Sequence, residues 1–264
     1  MMKRLLITGA AGGLGTMARK RLSHLAETLR LSDIVPMGEA APNEEHVVCD
    51  LADGAAVEEL VKGCDGIIHL GGVSVEKSYD LIEAGNIRGV YNLYEAARLH
   101  GLPRIVFASS NHTIGFYPQS QRLTADMPTR PDGWYGISKV YGEAVAHMYH
   151  EKFGQETAIL RIGSCFEKPV DRRMMATWLS YDDFVSLMER VFTVPKLGCA
   201  TIWGASANTC GWWDNSHIGW LGWKPKDDSE VYRAEVEALP PRPADAPDVL
   251  YQGGKFTADP VFRD

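Results

Sequence analysis

Short apolar runs alternate with longer amphipathic stretches through the first two thirds of the chain. Lys3 to Thr8 is mostly apolar and runs into glycines, after which a helical pattern continues to about Leu29. Leu29–Asp33, His46–Cys49, Gly66–Leu70, Arg104–Ala108 and Thr157–Ile162 read as further strands. Asn86–Leu99 carries apolar residues at helical spacing, and Val57–Val61 and Trp134–Phe153 also read as helices. Such alternation, with strands that are nearly continuous apolar runs, predicts an α/β fold with a parallel sheet covered on both faces. Past Ser164 the alternation decays. Ser180 and Asp183 resemble a capping box ahead of an apolar helical run to Val194. Five tryptophans fall between Trp203 and Trp223, where core or interface packing is favoured over stacking on a sugar. Four prolines between Leu239 and Val249 predict an extended connection. The expected organisation is a core over residues 1–165, with a smaller substrate-covering lobe and tail over 166–264, in one structural unit.

Composition narrows the partners. At 264 residues the chain can bury a full core. A net charge of −7 without a basic run argues against nucleic acid. No apolar stretch approaches the roughly 20 residues of a membrane span. Met1–Ile7 has the look of a leader, but its apolar part stops at Thr8-Gly9, so it reads as a first strand. Five cysteines, an odd number without metal-ligand spacing, point to a reduced, cytoplasmic protein and give no expectation of a metal.

The candidate chemistry begins with glycines. Thr8-Gly9-Ala10-Ala11-Gly12-Gly13-Leu14-Gly15 sits between a strand and a helix. Glycines there let the backbone approach a pyrophosphate, and the helix offers its first amides to phosphate oxygens. Asp33 follows at close to the roughly 20-residue distance expected of a ribose-binding carboxylate. It should favour NAD and repel the 2′-phosphate of NADP; a solvated loop acid is the alternative. Asp50-Leu51 ends the third strand, where the carboxylate can accept from an adenine amino group or cap the next helix. Leu70-Gly71-Gly72 ends the fourth, and small residues there permit close backbone approach.

Further along, Ser109-Ser110 closes the fifth strand, and Tyr135 and Lys139 stand four residues apart on one helix face. A phenol has a pKa of about 10, and a nearby cation favours the phenolate. Tyr135 can then take a proton from an alcohol while a nicotinamide takes the hydride. Of the two serines, alternation along a strand puts one toward a ligand and the other into the interior, bonded to backbone.

Together, Thr8-Gly9-x-x-Gly12-x-x-Gly15, Asp33, Asp50-Leu51, Asn86, Ser109-Ser110 and Tyr135-x-x-x-Lys139 resemble the short-chain dehydrogenase/reductase superfamily, in its extended, sugar-nucleotide-epimerase-like branch. The resemblance covers roughly residues 3 to 165. It implies a Rossmann-like, doubly wound parallel sheet with a small C-terminal substrate-covering lobe. It also implies Tyr135 as proton acceptor, Lys139 as ribose ligand and pKa modifier, and Ser110, five residues before Gly115, as partner of the substrate hydroxyl. Gly13, Leu14, Ile34 and Cys165 join the expected NAD contacts.

A narrower resemblance spans nearly the whole chain. Gly71–Glu76, Phe107–Gly115, Arg161–Phe166, Arg173–Ser180 and Tyr251–Phe256 are similar to bacterial uronate dehydrogenases. That resemblance implies NAD-dependent oxidation of D-glucuronate or D-galacturonate at C1 to the aldarolactone, without a metal, by a homo-oligomer. Its substrate-binding positions match Ser74, Ser110, Asn111, His112, Ser164 and Arg173. The physical reading agrees, since hydroxyls need mixed donors and acceptors and a carboxylate suits a guanidinium fork. By itself His112 is more often a structural histidine, and Arg173 can equally join Asp171 and Arg172 in a surface ion-pair cluster. Two other functions stay open: a nucleotide-sugar epimerase or dehydratase, disfavoured by a short and weakly basic C-terminal part, and a non-catalytic NAD sensor, disfavoured by the presence of both Tyr135 and Lys139.

Overall fold

The computed structural model describes residues 1–263. In chain order the elements are β1 (Met2–Thr8), α1 (Gly13–Arg21), β2 (Ala26–Asp33), β3 (Glu44–Val48), α2 (Gly54–Val61), β4 (Gly66–His69), α3 (Tyr79–Ile82) and α4 (Gly89–Leu99). They continue with β5 (Arg104–Ser110), α5 (Trp134–Phe153), β6 (Thr157–Ile162), β7 (Ser164–Cys165), α6 (Met174–Thr177), β8 (Trp178–Leu179), α7 (Tyr181–Thr193), β9 (Cys199–Gly204), α8 (Arg233–Glu237) and α9 (Pro247–Leu250). Seven strands form a sheet in the order β3-β2-β1-β4-β5-β6-β9, every neighbouring pair parallel. This is the doubly wound Rossmann arrangement, whose order reverses between β1 and β4 and leaves a crevice at the carboxyl ends of the strands.

The apolar runs explain the two layers. Side chains alternate across a strand, so Leu5 and Ile7 face α1 and α7 while Leu6, between them, faces α2, α4 and α5. Both faces are covered, and all three side chains are fully buried.

Trp134–Phe153 and Thr157–Ile162 form as a helix and a strand, as read from the sequence. Three expectations need correction. The first helix stops at Arg21, because Ala26 and Thr28 pair with Met2 and Arg4 of β1, and that long-range pairing overrides a helical local pattern. The capping box is half formed: Ser180 Oγ accepts from Asp183 N at 2.9 Å, but the Asp183 carboxylate turns to the amides of Lys226 and Asp227. The segment after 165 also does more than cover the site, since β9 pairs with β6 at the sheet edge and α7 packs on the core. Trp203 is fully buried, stacked on Trp213 at 4.9 Å between centroids.

Ser109 points into the interior, but its partner is a side chain rather than backbone: its Oγ donates to Glu143 Oε1 at 2.6 Å. The same carboxylate takes two bonds from Arg161, at 2.9 and 2.8 Å, with both side chains under a tenth exposed. Removing one partner strands a buried charge, which costs about 3–5 kcal/mol. Glu143→Ala should destabilise the fold by that order, read as a lowered urea midpoint at an unchanged slope.

Candidate active site

The cleft lies along the carboxyl ends of β1, β2, β4, β5 and β6 and has a volume of about 1210 Å³. Its first wall is the glycine turn. Gly9 has φ +70°, and a Cβ there would sit 2.7 Å from the carbonyl carbon of Leu70. A Cβ on Gly15 would strike the Gly9 carbonyl oxygen, so α1 can pack this close to the turn only without one. Asp33 stands at the end of β2, and its Oδ2 accepts from Ala11 N at 2.9 Å. Asp50 accepts from Ala52 N in a local turn, and the helix cap falls to Asp53, which accepts from the amides of Ala55 and Ala56. Asp50 is therefore no cap and remains on the cleft wall with Leu51.

The second wall is α5. Its N-terminal amides are held by a carboxylate distant in sequence: Glu76 Oε1 accepts from Trp134 N at 2.8 Å, and Oε2 from Tyr135 N at 2.9 Å. Orphan amides at a helix start favour such a negative partner. Asn86, in a π-helical turn over Glu83–Arg88 between α3 and α4, ties the loop after β4 to the same helix. It accepts from Val73 N and donates to Val73 O and to Ser138 Oγ.

Tyr135 and Lys139 both reach the cleft from α5, with Lys139 Nζ 5.5 Å from the centre of the Tyr135 ring. Burial dominates their titration. It pushes the Tyr135 phenol up to about 12, against the nearby Ser110 hydroxyl, which lowers it, while Asp132 adds to the rise. Burial pulls Lys139 down to about 8. In the protein alone the phenol is therefore raised, not lowered, and desolvation sets the direction.

The floor carries the remaining candidates. Ser110 Oγ accepts from His112 N at 3.1 Å. Asn111 donates weakly to the Gln252 carbonyl at 3.4 Å. His112 binds Asp132 through Nδ1 at 2.7 Å and stacks on Phe256 at 3.9 Å. Ser164, on β7, pairs with Thr177 at 3.0 Å. Arg173 precedes α6 and donates to Gln252 O at 2.9 Å and to Ser164 Oγ at 3.4 Å. No carboxylate of the described residues lies within salt-bridge range of it. Burial lowers its pKa, and the charges of Asp171 and Asp132 work against that. The surface-cluster alternative fails here: Arg172 binds the carbonyls of Glu237 and Leu239, and Asp171 caps Met174 N.

Ser74 joins from the loop after β4. Gly12, Gly13, Leu14, Ile34, Leu70, Gly71, Gly72 and Cys165 also line the same cleft, so every site residue read from the sequence converges on it. The sequence reading assigned no role to Glu76, Asp132 and Gln252. Glu76 and Gln252 lie inside the quoted family segments, which is the signal that can find them. Asp132, in Pro131-Asp132-Gly133, looks like an ordinary turn.

The pattern of the NAD dependent epimerase/dehydratase family matches residues 5–180. The chain belongs to that family. Within it, the chain is 62% identical to a uronate dehydrogenase of Agrobacterium fabrum, over 99% of both chains. It is 57% identical to that of Pseudomonas putida, over 98% of this chain and 97% of the other. The crystal structure of a mutant uronate dehydrogenase from Agrobacterium tumefaciens complexed with NAD superposes with a TM-score of 0.99 at 60% identity, covering 100% of each chain. No helix of the described residues is long and apolar enough to cross a membrane.

Proposed function

We propose that this family member is an NAD-dependent dehydrogenase that oxidises D-glucuronate or D-galacturonate at C1 to the aldarolactone. The observation that carries the substrate is Arg173, a half-buried guanidinium without a carboxylate partner among the described residues, lining the same cleft as Tyr135 and Ser110. A neutral sugar leaves that cation uncompensated, and a uronate supplies the missing charge. Three relatives, at 51–62% identity over 98–99% of this chain, are uronate dehydrogenases.

The residues present fit NAD. The Gly9–Gly15 turn admits a close backbone approach that a Cβ would block, and Asp33 stands where an adenosine ribose is read. Gly12, Gly13 and Leu14 hold the phosphates, Asp33 and Ile34 the ribose, Asp50 and Leu51 the adenine. Leu70, Gly71, Gly72, Lys139 and Cys165 hold the nicotinamide half. When bound, NAD accepts a hydride and brings a positive charge to the nicotinamide end.

This chain's own side chains do the rest. Arg173 holds the sugar carboxylate, with Ser164 beside it. Ser74, Asn111 and His112 bind ring hydroxyls. Ser110 hydrogen-bonds the C1 oxygen, and Tyr135 takes the C1 hydroxyl proton as that oxygen becomes a carbonyl. A homo-oligomer and a cytoplasmic location complete the proposal; all five cysteines are free, as a reducing compartment requires.

Initial rates of NADH formation across glucuronate, galacturonate, glucose and galactose test the substrate class. The uronates should be turned over with the higher kcat/KM, and an equal rate with the neutral sugars contradicts the assignment. A second expectation concerns the cofactor. Asp33→Ala should narrow the preference for NAD over NADP by at least roughly tenfold, since a like charge facing the 2′-phosphate is removed. The ratio of the two kcat/KM values is the measurement, and an unchanged ratio excludes Asp33 as the selector.

A further inference from the structure

Asp132 lies just ahead of α5, and its side chain is 1% exposed. A carboxylate buried this deeply needs partners. Its Oδ2 is 2.7 Å from His112 Nδ1, and its Oδ1 has no partner. A carboxylate only accepts, so the shared proton sits on Nδ1.

The chain keeps space for this side chain at two places far apart in sequence. A Cβ on Gly115, after β5, or on Gly253, near the C-terminus, would collide with the Asp132 carboxylate. Two segments thus forgo a side chain around a carboxylate whose one hydrogen bond goes to His112.

His112 is fixed on its other sides as well. Its ring stacks on Phe256 with an interplanar angle of 18° and meets Tyr135 edge-on at 5.6 Å. Its Nε2 has no protein partner among the described residues, and the residue lines the cleft. With Nδ1 protonated, a neutral imidazole offers Nε2 as an acceptor. Arg173 and Tyr135 also feel the Asp132 charge, so an electrostatic role independent of His112 is the rival explanation.

We propose that Asp132 is a positioning residue that holds His112 in the Nδ1–H tautomer, so that Nε2 accepts a hydrogen bond from one ring hydroxyl of the sugar. The inference rests on the hexuronate reading, because the sugar supplies the donor. It adds a selection rule: the group facing His112 must carry an O–H, and a methyl ether or deoxy centre there is discriminated against.

Nitrogen-15 NMR of the unmodified protein, labelled at histidine, reads the tautomer without any substrate. The expected result is a protonated Nδ1 and an unprotonated Nε2 for His112; protonation at Nε2 overturns the proposal. Kinetics then separate positioning from structure. Asp132→Ala should raise the uronate KM by about tenfold, with kcat and NAD affinity moving less. Asp132→Asn should recover most of the loss, since an amide oxygen still accepts from Nδ1–H. The double variant His112→Ala/Asp132→Ala should be no worse than His112→Ala alone. If the Asp132→Ala loss adds in full to that of His112→Ala, Asp132 acts through the fold or through Arg173, and the proposal falls. Should the unmodified protein oxidise no uronate, the hexuronate reading fails, while the ring-nitrogen signals still decide the tautomer.

Discussion

Tyr135→Phe should lower kcat by about 10²–10⁴-fold while NAD still binds. The substitution keeps the ring, and with it the packing against His112 and Phe256, and removes only the oxygen that takes the proton. NAD affinity measured beside turnover separates loss of chemistry from loss of the site. Near-normal turnover excludes Tyr135 as the base. The pH dependence carries the same logic. The phenolate is the reactive form, so kcat should rise with pH. In the protein alone, burial holds the phenol up to about 12 and pulls Lys139 down to about 8. Positive charges gathered at the loaded site favour the phenolate, so the rising limb should lie below the roughly 10 of a free tyrosine. Lys139→Met removes one of those charges and should move the limb to higher pH; an unmoved limb assigns Lys139 to cofactor binding alone.

Arg173→Ala should lower kcat/KM for glucuronate by at least roughly 30-fold, because breaking a desolvated charge pair costs on the order of 2–5 kcal/mol. Glucose oxidation, which makes no such pair, should suffer much less. Arg173→Lys should restore only part of the activity, since an ammonium cannot bond Gln252 O and Ser164 while also presenting a planar fork to a carboxylate. The ratio of glucuronate to glucose activity, before and after mutation, is the quantity to measure. An unchanged ratio removes Arg173 as the carboxylate anchor.

The parts of this molecule legible in the sequence are those fixed by local patterns. Trp134–Phe153 is a long helix and Thr157–Ile162 a short apolar strand, and each forms where the local sequence places it. The glycine turn was readable because its spacing follows from steric need at Gly9 and Gly15. What escaped depends on distant partners. Ala26–Thr28 becomes a strand because β1 lies beside it, and Cys199–Gly204 joins the sheet because β6 offers a free edge. Neither neighbour is visible in a local window. The same holds within the site. Glu76 meets α5 across 58 or 59 positions of sequence, and Gln252 meets Asn111 and Arg173 across 141 and 79. Their roles arise only when the chain closes on itself. The phenol of Tyr135 shows the converse limit: its neighbour Lys139 was evident from spacing, but the extent of burial, which decides the direction of the shift, was not.

The most direct test of the central claim follows a labelled hydrogen. Glucuronate carrying deuterium at C1 is incubated with NAD and the unmodified protein, and both products are analysed. Oxidation at C1 predicts deuterium in the reduced nicotinamide and an aldarolactone free of it. Deuterium retained at C1, with an epimer or dehydrated sugar as product, would contradict the account and place the chain among the sugar-modifying members of its family.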